Sequence, residues 1–454
     1  MDMLTYALLK RRVDAVDPKT IYGVSWDKGS ISSLTRTDAS VGMVANAGVD
    51  GTVPRNDFDN GAIYRDITEV TDTLGNFFIR IPKFYIRKTD GVGSKTWQIS
   101  RFKHSGFYLP WCFWDFTNNR ELPYVDVGKY KATQDGSSRL ESKAGKPPLV
   151  STHIVGFRTK ATANNAGGLL GYQQLDIHVV DVLQALFYIE FATLNSQSIM
   201  QGFTTGRYGV GTDLATAGTV SGNHIDVTNA TGAQYHVKQT ISVGTARYGT
   251  QVFYGRTITA IAVDTPAAGT TRITFDGAPV NITTGNFLQN TGAINGFSAG
   301  IAASSGSLVS NSDGKYPCVY RGIESPWGDI WQFVDGVNVN ERQAWVAENA
   351  ANYTSNAFAS PYKQLGYANS AADGYVSAMG HDPNNPFAVF PAALGAGPSS
   401  YYADYYYQAA GQLVALVGGT WSSGALAGAS DWFLGGTSSL TSVGIGGRLL
   451  KKPL

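Results

Sequence analysis

The clearest periodic pattern in the chain lies in residues 174–197, QLDIHVVDVLQALFYIEFATLNSQ. Apolar residues recur there at the three- and four-residue spacing of an α-helix and cover a broad face. These residues are Val179, Val182, Leu183, Leu186, Phe187 and Ile189. So wide an apolar face predicts a helix that is buried against a sheet. Asp176 is a suitable N-cap, because its carboxylate can accept a hydrogen bond from a free backbone N–H group of the first turn.

The segment from Ile21 to about Val150 consists mainly of short strands and turns. In GNFFIRIPKFYIRKT, residues 75–89, both alternating sets of positions are largely apolar at the start. This pattern predicts a strand that is buried on both sides or stacked against a neighbour. Pro82 favours an edge position or a bulge, because proline has no N–H to donate to a ladder. The aromatic run GFYLPWCFWDF, residues 106–116, is interpreted as part of the core.

The composition changes at about Gly202, and the chain as far as Asp313 is rich in Thr, Gly, Val and Ala. Short alternating strands such as HIDVTNA and TRITFDGAPVNIT are separated there by turns at nearly regular spacing, which is typical of a small all-β module. Linker-like segments flank this part of the chain. Residues 203–313 are therefore predicted to be a module inserted into a larger domain.

The charge and hydropathy of the chain exclude some classes of partner. There are 35 Lys and Arg residues against 34 Asp and Glu residues, and no basic stripe of the kind that binds nucleic acid occurs. No apolar run reaches the length of a transmembrane helix, so membrane insertion is not expected. Residues 1–18 lack the apolar region and cleavage site of a signal peptide, and they are predicted to form a short helical arm.

Residues that could support catalysis or bind a metal are few and scattered. The histidines form no metal-binding motif, and Cys112 and Cys318 are interpreted as buried free thiols. No G-x-S-x-G sequence and no Walker-type loop occurs, so no catalytic residue is assigned. Glu324 and Asp329 flank SPWG, and Asp335 follows. We interpret these as turn and strand-end carboxylates, with a paired-carboxylate glycosidase and calcium ligation as the alternatives.

The tyrosine-rich segment YYADYYYQ, residues 401–408, indicates a binding function. Tyr and Trp offer large, rigid contact areas with a hydrogen-bonding tip, and small residues between them allow close approach. Alternation along a strand directs some rings inward. Two or three of these tyrosines are therefore expected in the core, and the others on an exposed recognition surface.

Three C-terminal stretches resemble a known fold family. YRGIESPWGDIWQFVDGVN (320–338), GGTW (418–421) and GIGGRLL (444–450) resemble the C-type lectin-like fold shared by formylglycine-generating enzymes and by variable proteins of diversity-generating retroelements. The N-terminal stretches LTR, DFDN and GNFFIRIPKFYIRK resemble phage tail and tail-fibre proteins that carry this domain. The resemblance implies a structural role for Trp327, Gly328, Trp331, Gly419, Trp421, Gly447 and Arg448. We expect the glycines to permit tight turns beside the indoles and the arginine to satisfy buried carbonyl groups.

The resemblance also separates the branches of this family. The enzyme branch needs a reactive cysteine pair in its C-terminal region, and no cysteine follows Cys318, so the chain is not expected to be an enzyme. The calcium-dependent sugar-binding motifs of animal lectins are missing. In the variable-protein branch, diversified side chains lie on one exposed ligand-binding face. The ligand-binding residues predicted on this basis are Tyr402, Asp404, Tyr405, Tyr406, Tyr407, Ser422, Ser423, Leu426, Asp431, Trp432 and Phe433.

The predicted fold class is α+β, with few helices and twisted antiparallel sheets. The expected parts are a helical arm (1–18), a β-rich tail-type region (19–150), a C-type lectin-like ligand-binding domain (151–202 and 314–454) and the inserted β module (203–313). No cofactor is expected, and a structural calcium ion has no specific support in the sequence.

The expected function is non-covalent recognition of a bacterial surface glycan or protein by a phage tail receptor-binding protein. Such a protein is made in the host bacterial cytoplasm and is located in the virion, on the tail tip or fibre. Other tail proteins are expected partners, and a homotrimer is expected by analogy. The alternatives are a structural tail component without receptor contact and an enzyme that degrades or modifies glycan.

Overall fold

The computed structural model of the chain describes residues 19–48, 52–247 and 249–454. Strands account for 36% and helices for 12% of the structure, and most strand pairs are antiparallel. The α+β class predicted from the sequence is thereby confirmed. The helical arm predicted for residues 1–18 lies outside the described residues.

Within these residues the α-helices are α1 (Ile154–Thr162), α2 (Ile177–Phe191) and the single turn α3 (Asn229–Gly232). Short 3-10 helices are Asp57–Asn60, Tyr64–Asp66, Trp111–Phe113, Ala163–Gly168, Ser196–Ser198, Ala350–Asn352 and Gly424–Leu426. The strands that precede α2 are β1 (Ile21–Trp26), β2 (Thr35–Asp38), β3 (Ala45–Asn46), β4 (Arg55–Asn56), β5 (Thr68–Thr71), β6 (Phe77–Pro82), β7 (Tyr85–Asp90), β8 (Lys95–Ser100), β9 (Trp114–Asp115), β10 (Arg120–Glu121), β11 (Tyr124–Gly128), β12 (Thr133–Gln134), β13 (Leu140–Glu141) and β14 (Tyr172–Gln174).

The strands of the predicted insertion are β15 (Thr219–Gly222), β16 (His224–Thr228), β17 (Gln239–Gly244), β18 (Gln251–Val263), β19 (Thr270–Phe275), β20 (Val280–Ile282), β21 (Phe287–Ala293) and β22 (Gly306–Ser307). The remaining strands are β23 (Cys318–Tyr320), β24 (Ile323–Glu324), β25 (Trp331–Asn340), β26 (Gln343–Val346), β27 (Lys363–Gln364), β28 (Asp373–Met379), β29 (Pro391–Ala396), β30 (Tyr405–Gln408), β31 (Gln412–Val417), β32 (Trp432–Gly436), β33 (Ile445–Gly446) and β34 (Leu449–Lys451).

The N-terminal region and the last strand of the chain share a sheet. Strand β34 lies between β14 and β11 in a five-stranded sheet of order β14-β34-β11-β6-β5. One hydrophobic core also contains residues from both sides of position 150, among them Ile79, Val127, Leu186 and Leu450. The boundary that the sequence predicts at residue 150 therefore lies inside a shared sheet and core and does not separate two bodies.

The single strand expected within residues 75–89 is two strands, separated at Pro82. Strand β6 belongs to the five-stranded sheet, whereas β7 is an edge strand of a second sheet of order β2-β1-β8-β7. Pro82 is the last residue of β6 and lies opposite Tyr124 of β11. Because proline has no N–H for the ladder, the strand ends there and the chain crosses to the second sheet.

Helix α2 lies at the centre of the molecule, and all its residues except Leu183 are buried. The predicted N-cap is confirmed, since Asp176 Oδ1 accepts a hydrogen bond of 3.0 Å from the backbone N–H of Val179. The helix ends at Ala192, whose φ of 50° is left-handed. The sequence predicts burial of one broad face, but the polar positions of α2 are buried as well.

The buried charges of α2 are paired with residues far away in the sequence. Asp181 binds Lys88 of β7. Glu190 accepts two hydrogen bonds from Arg321, of 2.9 Å from Nε and 2.7 Å from Nη2. Removing one member of such a pair leaves an uncompensated charge in the interior, which costs about 3–5 kcal/mol. These pairs fix the helix to the N-terminal sheet on one side and to the C-terminal half on the other.

The C-terminal half forms a large sheet of order β27-β26-β25-β31-β32-β30-β28-β29, with β33 beside β25. Neighbouring strands are antiparallel except for two pairs, β25 with β33 and β30 with β32. The parallel pairing of β30 and β32 is important for the candidate site, because it places residues 405–408 directly beside residues 432–434. Such a pair needs a long connection, which here runs through β31 and residues 418–431.

The strands β15 to β21 pair only with one another in the named sheets, in the orders β15-β20 and β16-β19-β18-β17-β21. They enclose an apolar cluster of their own, which includes Ile225, Val227, Ile241, Val243, Ile273 and Leu288. A second, smaller cluster joins this part to the rest of the chain, and it contains Phe203, Ala293, Phe297, Ile330 and Trp421. The insertion therefore has a separate core and an apolar junction.

Indole and glycine residues form the frame between the insertion and the large sheet. Trp327 is buried, and its Nε1–H donates to the Met200 carbonyl oxygen at 2.9 Å. The adjacent Gly328 has a φ of 69°, and a Cβ atom there would lie 2.6 Å from the carbonyl oxygen of Phe203. Glycine is thus required at this turn, as the sequence leads us to expect.

Arg448 is 1% exposed and joins the C-terminal strands to three other segments. Its guanidinium donates to Gln332 Oε1 (2.8 Å) and to the carbonyl oxygens of Gly128 (2.8 Å), Lys129 (3.2 Å), Glu324 (2.8 Å) and Ser325 (3.0 Å). The expectation that this arginine satisfies buried carbonyl groups is confirmed. Burial lowers the pKa of the guanidinium to about 10, so it stays charged at neutral pH.

Replacement of this arginine tests how far the frame depends on it. Arg448→Met fills similar space but leaves buried carbonyl oxygens without donors, and each buried unsatisfied group costs about 1–3 kcal/mol. We expect a loss of about 3–5 kcal/mol in the free energy of unfolding, measured by urea denaturation, and a smaller loss for Arg448→Lys. Arg55→Met is the control, because the Arg55–Asp57 pair is exposed and such pairs contribute about 0–1 kcal/mol. Equal stability of the two methionine variants would contradict this role of Arg448.

Candidate functional site

The side chains of β30 alternate between the interior and solvent. Tyr406 and Gln408 are buried, whereas Tyr405 is half-buried and Tyr407 is exposed. On the parallel strand β32 the same alternation buries Trp432 and Leu434 and leaves Phe433 half-buried on the outer side. The register pairs Tyr407 with Phe433, so the two rings lie next to each other on the outer side of the sheet.

Five partly exposed rings from four strands form a group that we call the aromatic face: Trp331, Tyr375, Tyr405, Tyr407 and Phe433. The rings of Tyr407 and Phe433 are stacked, with centroids 5.2 Å apart and planes inclined by 20°. Trp331 contacts Phe433 at 5.7 Å, and Tyr375 meets Tyr405 edge-on at 5.2 Å. The mutual contacts hold the rings in fixed orientations, which reduces the entropy that a ligand must remove on binding.

Gly435 makes room for the central stacked pair. A Cβ atom at this position would lie 2.3 Å from Cζ of Phe433 and 2.9 Å from Cε1 of Tyr407. Both distances are shorter than any carbon–carbon contact between non-bonded atoms, so even alanine would displace the rings. Gly435, at the second outward position of β32, is therefore required for the observed stacking of the two rings.

The predicted residues Ser422, Ser423 and Leu426 lie on the loop between β31 and β32. Ser423 Oγ accepts a hydrogen bond of 2.8 Å from the Thr420 backbone N–H, and Ser422 and Leu426 are exposed. The loop is attached by Gly424, whose N–H donates to the Thr204 carbonyl oxygen and whose own carbonyl oxygen accepts from Gln197. These side chains are available to a ligand. The hydrogen bonds of Ser422 and Ser423 are with Thr420, and the loop is attached to the 197–204 segment through Gly424 and not to the aromatic face.

Five of the predicted ligand-binding residues are buried: Tyr402, Asp404, Tyr406, Asp431 and Trp432. Tyr402 packs edge-on against Trp26 at 5.7 Å, and the ring of Trp432 lies 4.5 Å from that of Phe390. They occupy the inward side of the strands or the turn before β30. A direct ligand contact by these residues, which the sequence analysis assigns, is not compatible with their position.

Asp404 and Asp431 form a buried pair of carboxyl groups. Burial raises the pKa of both well above the usual value, and the Asp404 carboxyl raises that of Asp431 further. Asp404 Oδ2 accepts from the Ser430 backbone N–H at 2.7 Å. Within the described residues, Asp404 Oδ1 and Asp431 Oδ2 have no hydrogen-bond partner. The surroundings therefore favour protonated carboxyl groups and not two anions directed at a ligand.

Glu324 and Asp329, the alternative catalytic carboxylates, are also buried. Glu324 accepts from the backbone N–H groups of Gly296 and Ser298, each at 2.8 Å, and Asp329 accepts from that of Ala293 at 2.8 Å. Burial raises the pKa of Asp329 to about 7. Both carboxyl groups thus bind the backbone where the insertion rejoins the main chain, which agrees with their interpretation as turn and strand-end groups.

The described residues contain no group of three or more His, Cys, Asp and Glu residues placed to hold a metal ion. Cys112 and Cys318 are both buried and unpaired with each other, as the sequence suggests. Burial raises the pKa of both thiols, which disfavours the reactive thiolate form.

No protein-family model matches the chain, and no curated protein matches it at a significant level. None of the helices in the described part of the chain has the length and apolar content needed to cross a membrane. The resemblance to C-type lectin-like proteins accordingly remains a proposal.

Sequence reasoning missed two members of the aromatic face. Trp331 was assigned to the frame, but it is the first residue of β25 and its ring is half-buried beside Phe433. Tyr375 stands in DGYVSAM, where no pattern marks it. The signal that could have found Tyr375 is the pairing of strands, because Tyr375 lies opposite Tyr405 in the register.

Replacing one acid of the buried pair should change the pH dependence of stability. The folded protein retains protons on Asp404 and Asp431 above the ordinary carboxyl pKa of 3.8, whereas the unfolded chain loses them. Unfolding then releases protons, so the wild type becomes less stable as the pH rises from about 4, by up to about 1.4 kcal/mol per pH unit for each proton. Asp431→Asn removes one such site. We expect its free energy of unfolding, relative to the wild type, to increase as the pH rises above about 4 in urea titrations.

The exposed Asp373, on β28, supplies the control for this experiment. Asp373→Asn should follow the wild-type curve at a constant offset across the same pH range. Parallel curves for Asp431→Asn and the wild type would show that the pair does not hold a proton in the folded state.

Proposed function

We propose that the protein is a phage tail receptor-binding protein that recognises a bacterial surface ligand non-covalently. Its C-terminal half, with α2, is a C-type lectin-like domain, and the aromatic face is the centre of its binding surface. The observation that carries this proposal is the stacked pair of the exposed Tyr407 and the half-buried Phe433 on adjacent strands, within a group of five partly exposed rings. A cluster of large rings held in fixed positions at the surface is typical of binding sites.

The chemistry of the surface suits a ligand with both apolar and polar groups. The outward rings offer flat apolar area, and the hydroxyl groups of Tyr405 and Tyr407 lie at its edge. Tyr405 Oη donates to Asp373 Oδ2 at 3.4 Å, which places a carboxylate beside the rings. A glycan with alternating C–H and hydroxyl faces fits this arrangement, and so does a protein loop with an apolar tip.

The separation between frame and surface supports a variable binding site. Residues that hold the fold, such as Trp327 and Arg448, are buried, while Tyr405, Tyr407, Ser422 and Leu426 project outward. A surface of this kind can change its side chains without changing the core, as the variable proteins of diversity-generating retroelements require. Several copies on one tail would add avidity, so a homo-oligomer, a trimer by analogy, and contacts with other tail proteins complete the proposal.

Loss of the exposed rings should weaken adsorption. The purified full-length protein, fluorescently labelled, is applied to a panel of bacterial strains to find cells that bind it. Tyr407→Ser and Phe433→Ser are each expected to weaken binding to those cells at least tenfold, because each removes apolar contact area worth about 1.4 kcal/mol or more. Gly435→Ala should also weaken binding, since it displaces both rings without removing them.

Tyr254→Ser is the matched control, because Tyr254 lies on β18 of the insertion and has the same exposure as Tyr407, 38%. It should bind as the wild type does. Unchanged adsorption of both aromatic-face variants would refute the proposed binding surface. If the aromatic-face variants lost self-assembly but still adsorbed to the cells, a structural tail component would be favoured. If the protein released reducing sugar from the cells, a glycan-degrading enzyme would be favoured.

Neighbouring tyrosines should also differ in their tolerance to substitution. Tyr406→Ser removes a buried ring and is expected to lower the free energy of unfolding by about 3–5 kcal/mol, the range for large-to-small changes in a core. Tyr407→Ser, one position further along the same strand, should cost only about 0.5–1.5 kcal/mol from the lost ring pair. Thermal unfolding of both variants measures the difference. Similar losses would mean that the outer face is not free to vary.

A further inference from the structure

A cavity of about 330 Å³ lies on a part of the molecule that shares no residue with the aromatic face. It opens between residues 103–121 and two later segments, around Glu348 and residues 384–387. Its walls include Tyr108, Trp111, Trp114, Glu121, Glu348 and Asn384. The volume is at the lower end of the range of about 300–1,000 Å³ for small-molecule sites. The cavity therefore suits one compact ligand unit.

The aromatic run that the sequence analysis assigns to the core supplies the rings of this cavity. Cys112 and Phe113 are buried as expected, but Trp111 and Trp114 are only half-buried. Their ring centroids are 6.1 Å apart and their planes are nearly perpendicular, at 79°. Phe116 supports Trp111 from a distance of 5.3 Å. The two indoles thus lie nearly perpendicular to each other in the wall of the cavity.

The inner wall is held in place by buried partners. Tyr108 Oη donates to Asp181 Oδ2 at 2.7 Å, and Asp181 is paired with Lys88. The ring of Phe387 lies 4.3 Å from that of His178. Both contacts connect the cavity to the central helix α2. A site whose wall is fixed in advance loses little entropy when a ligand binds.

The outer rim carries polar groups with hydrogen-bonding capacity left over. Glu348 Oε1 binds Lys363 Nζ at 2.6 Å, and the carboxylate has further lone pairs. The side-chain amide of Asn384 and the indole N–H groups of Trp111 and Trp114 make no hydrogen bond within the described residues. Together these groups offer both donors and acceptors around the rings.

We propose that this cavity binds a single pyranose unit of a glycan. One face of a pyranose is a patch of C–H groups that packs on an indole, while the hydroxyl groups around its rim need donors and acceptors. Indole faces with amide and carboxylate groups at their edge match both requirements. Glu121 and Glu348 are each paired with a lysine, Lys83 and Lys363, and their remaining lone pairs can accept hydrogen bonds from sugar hydroxyl groups. The site shares no residue with the aromatic face, so this proposal does not depend on the function proposed for that face.

Saturation-transfer NMR on the full-length protein tests this assignment with free sugars as probes. The panel contains glucose, galactose, mannose, rhamnose, glucuronic acid, N-acetylglucosamine and N-acetylgalactosamine. At least one sugar should show saturation of its ring C–H protons with a dissociation constant on the order of 1 mM, about 4 kcal/mol. Trp111→Ala and Trp114→Ala should weaken that binding at least tenfold, and Glu348→Gln about threefold or more. Tyr254→Ser, on the insertion, is the control and should bind the sugar as the wild type does.

If a tryptophan variant fails to fold by circular dichroism, Glu348→Gln and Asn384→Ala decide the matter, because they change only rim groups. No saturation of any sugar in the panel would overturn the proposal. Sugar binding that is unaffected by the cavity variants would also overturn it, since the ligand would then lie elsewhere. Adenosine is included as a second probe, and binding of adenosine in place of every sugar would assign the cavity to a nucleobase and not to a glycan.

Discussion

The guanidinium of Arg448 is the interaction on which the architecture depends most. From the last strands it reaches three other parts of the chain: the end of β11, the turn after β24 and Gln332 of β25. One planar group with five N–H donors serves the backbone carbonyl oxygens of the first two parts and the side-chain oxygen of the third together. An arginine suits this position because it keeps its charge despite burial, whereas a neutral donor could not serve as many acceptors.

Because buried residues such as Arg448 hold the strands together, large rings can remain on the surface. The sheet that carries Tyr407 and Phe433 has its inner side filled by Tyr406, Trp432 and Leu434. On the outer side Phe433 packs against a second apolar cluster, which contains the buried Leu416 of the neighbouring strand. Apolar burial on the inner side and in this cluster supplies the free energy that holds the strands, and the exposed part of the aromatic face is left for binding. The same division applies around the cavity, where buried partners on α2 hold the inner wall.

The sequence predicts local features of this fold well and long-range ones poorly. The presence of α2, its Asp176 cap and the role of Arg448 follow from local patterns or from the family resemblance, although the helix ends at Phe191 and not near residue 197. The burial of Glu190 does not, because its partner Arg321 is 131 residues away. The tyrosine segment shows the same limit. Alternation predicts that some rings point inward, but positive φ angles at Tyr401 and Ala403 shift the alternation before β30 begins, so the sequence does not reveal which ones.

Glu324 and Asp329, the carboxyl groups considered as alternative catalytic acids, hold one end of the insertion in place. Asp329 accepts a hydrogen bond from the backbone N–H of the last residue of β21, and Glu324 accepts from backbone N–H groups just after that strand. At the other end, the N–H of Gly206 donates to the carbonyl oxygen of Trp421 at 2.6 Å. Both connections are thus fixed by buried hydrogen bonds and by the apolar junction around Phe203. An insertion held at both ends moves with the frame, so its outer surface keeps a constant position relative to the loop of Ser422 and Leu426. It therefore keeps a fixed orientation on the frame, which a module on flexible linkers would not do.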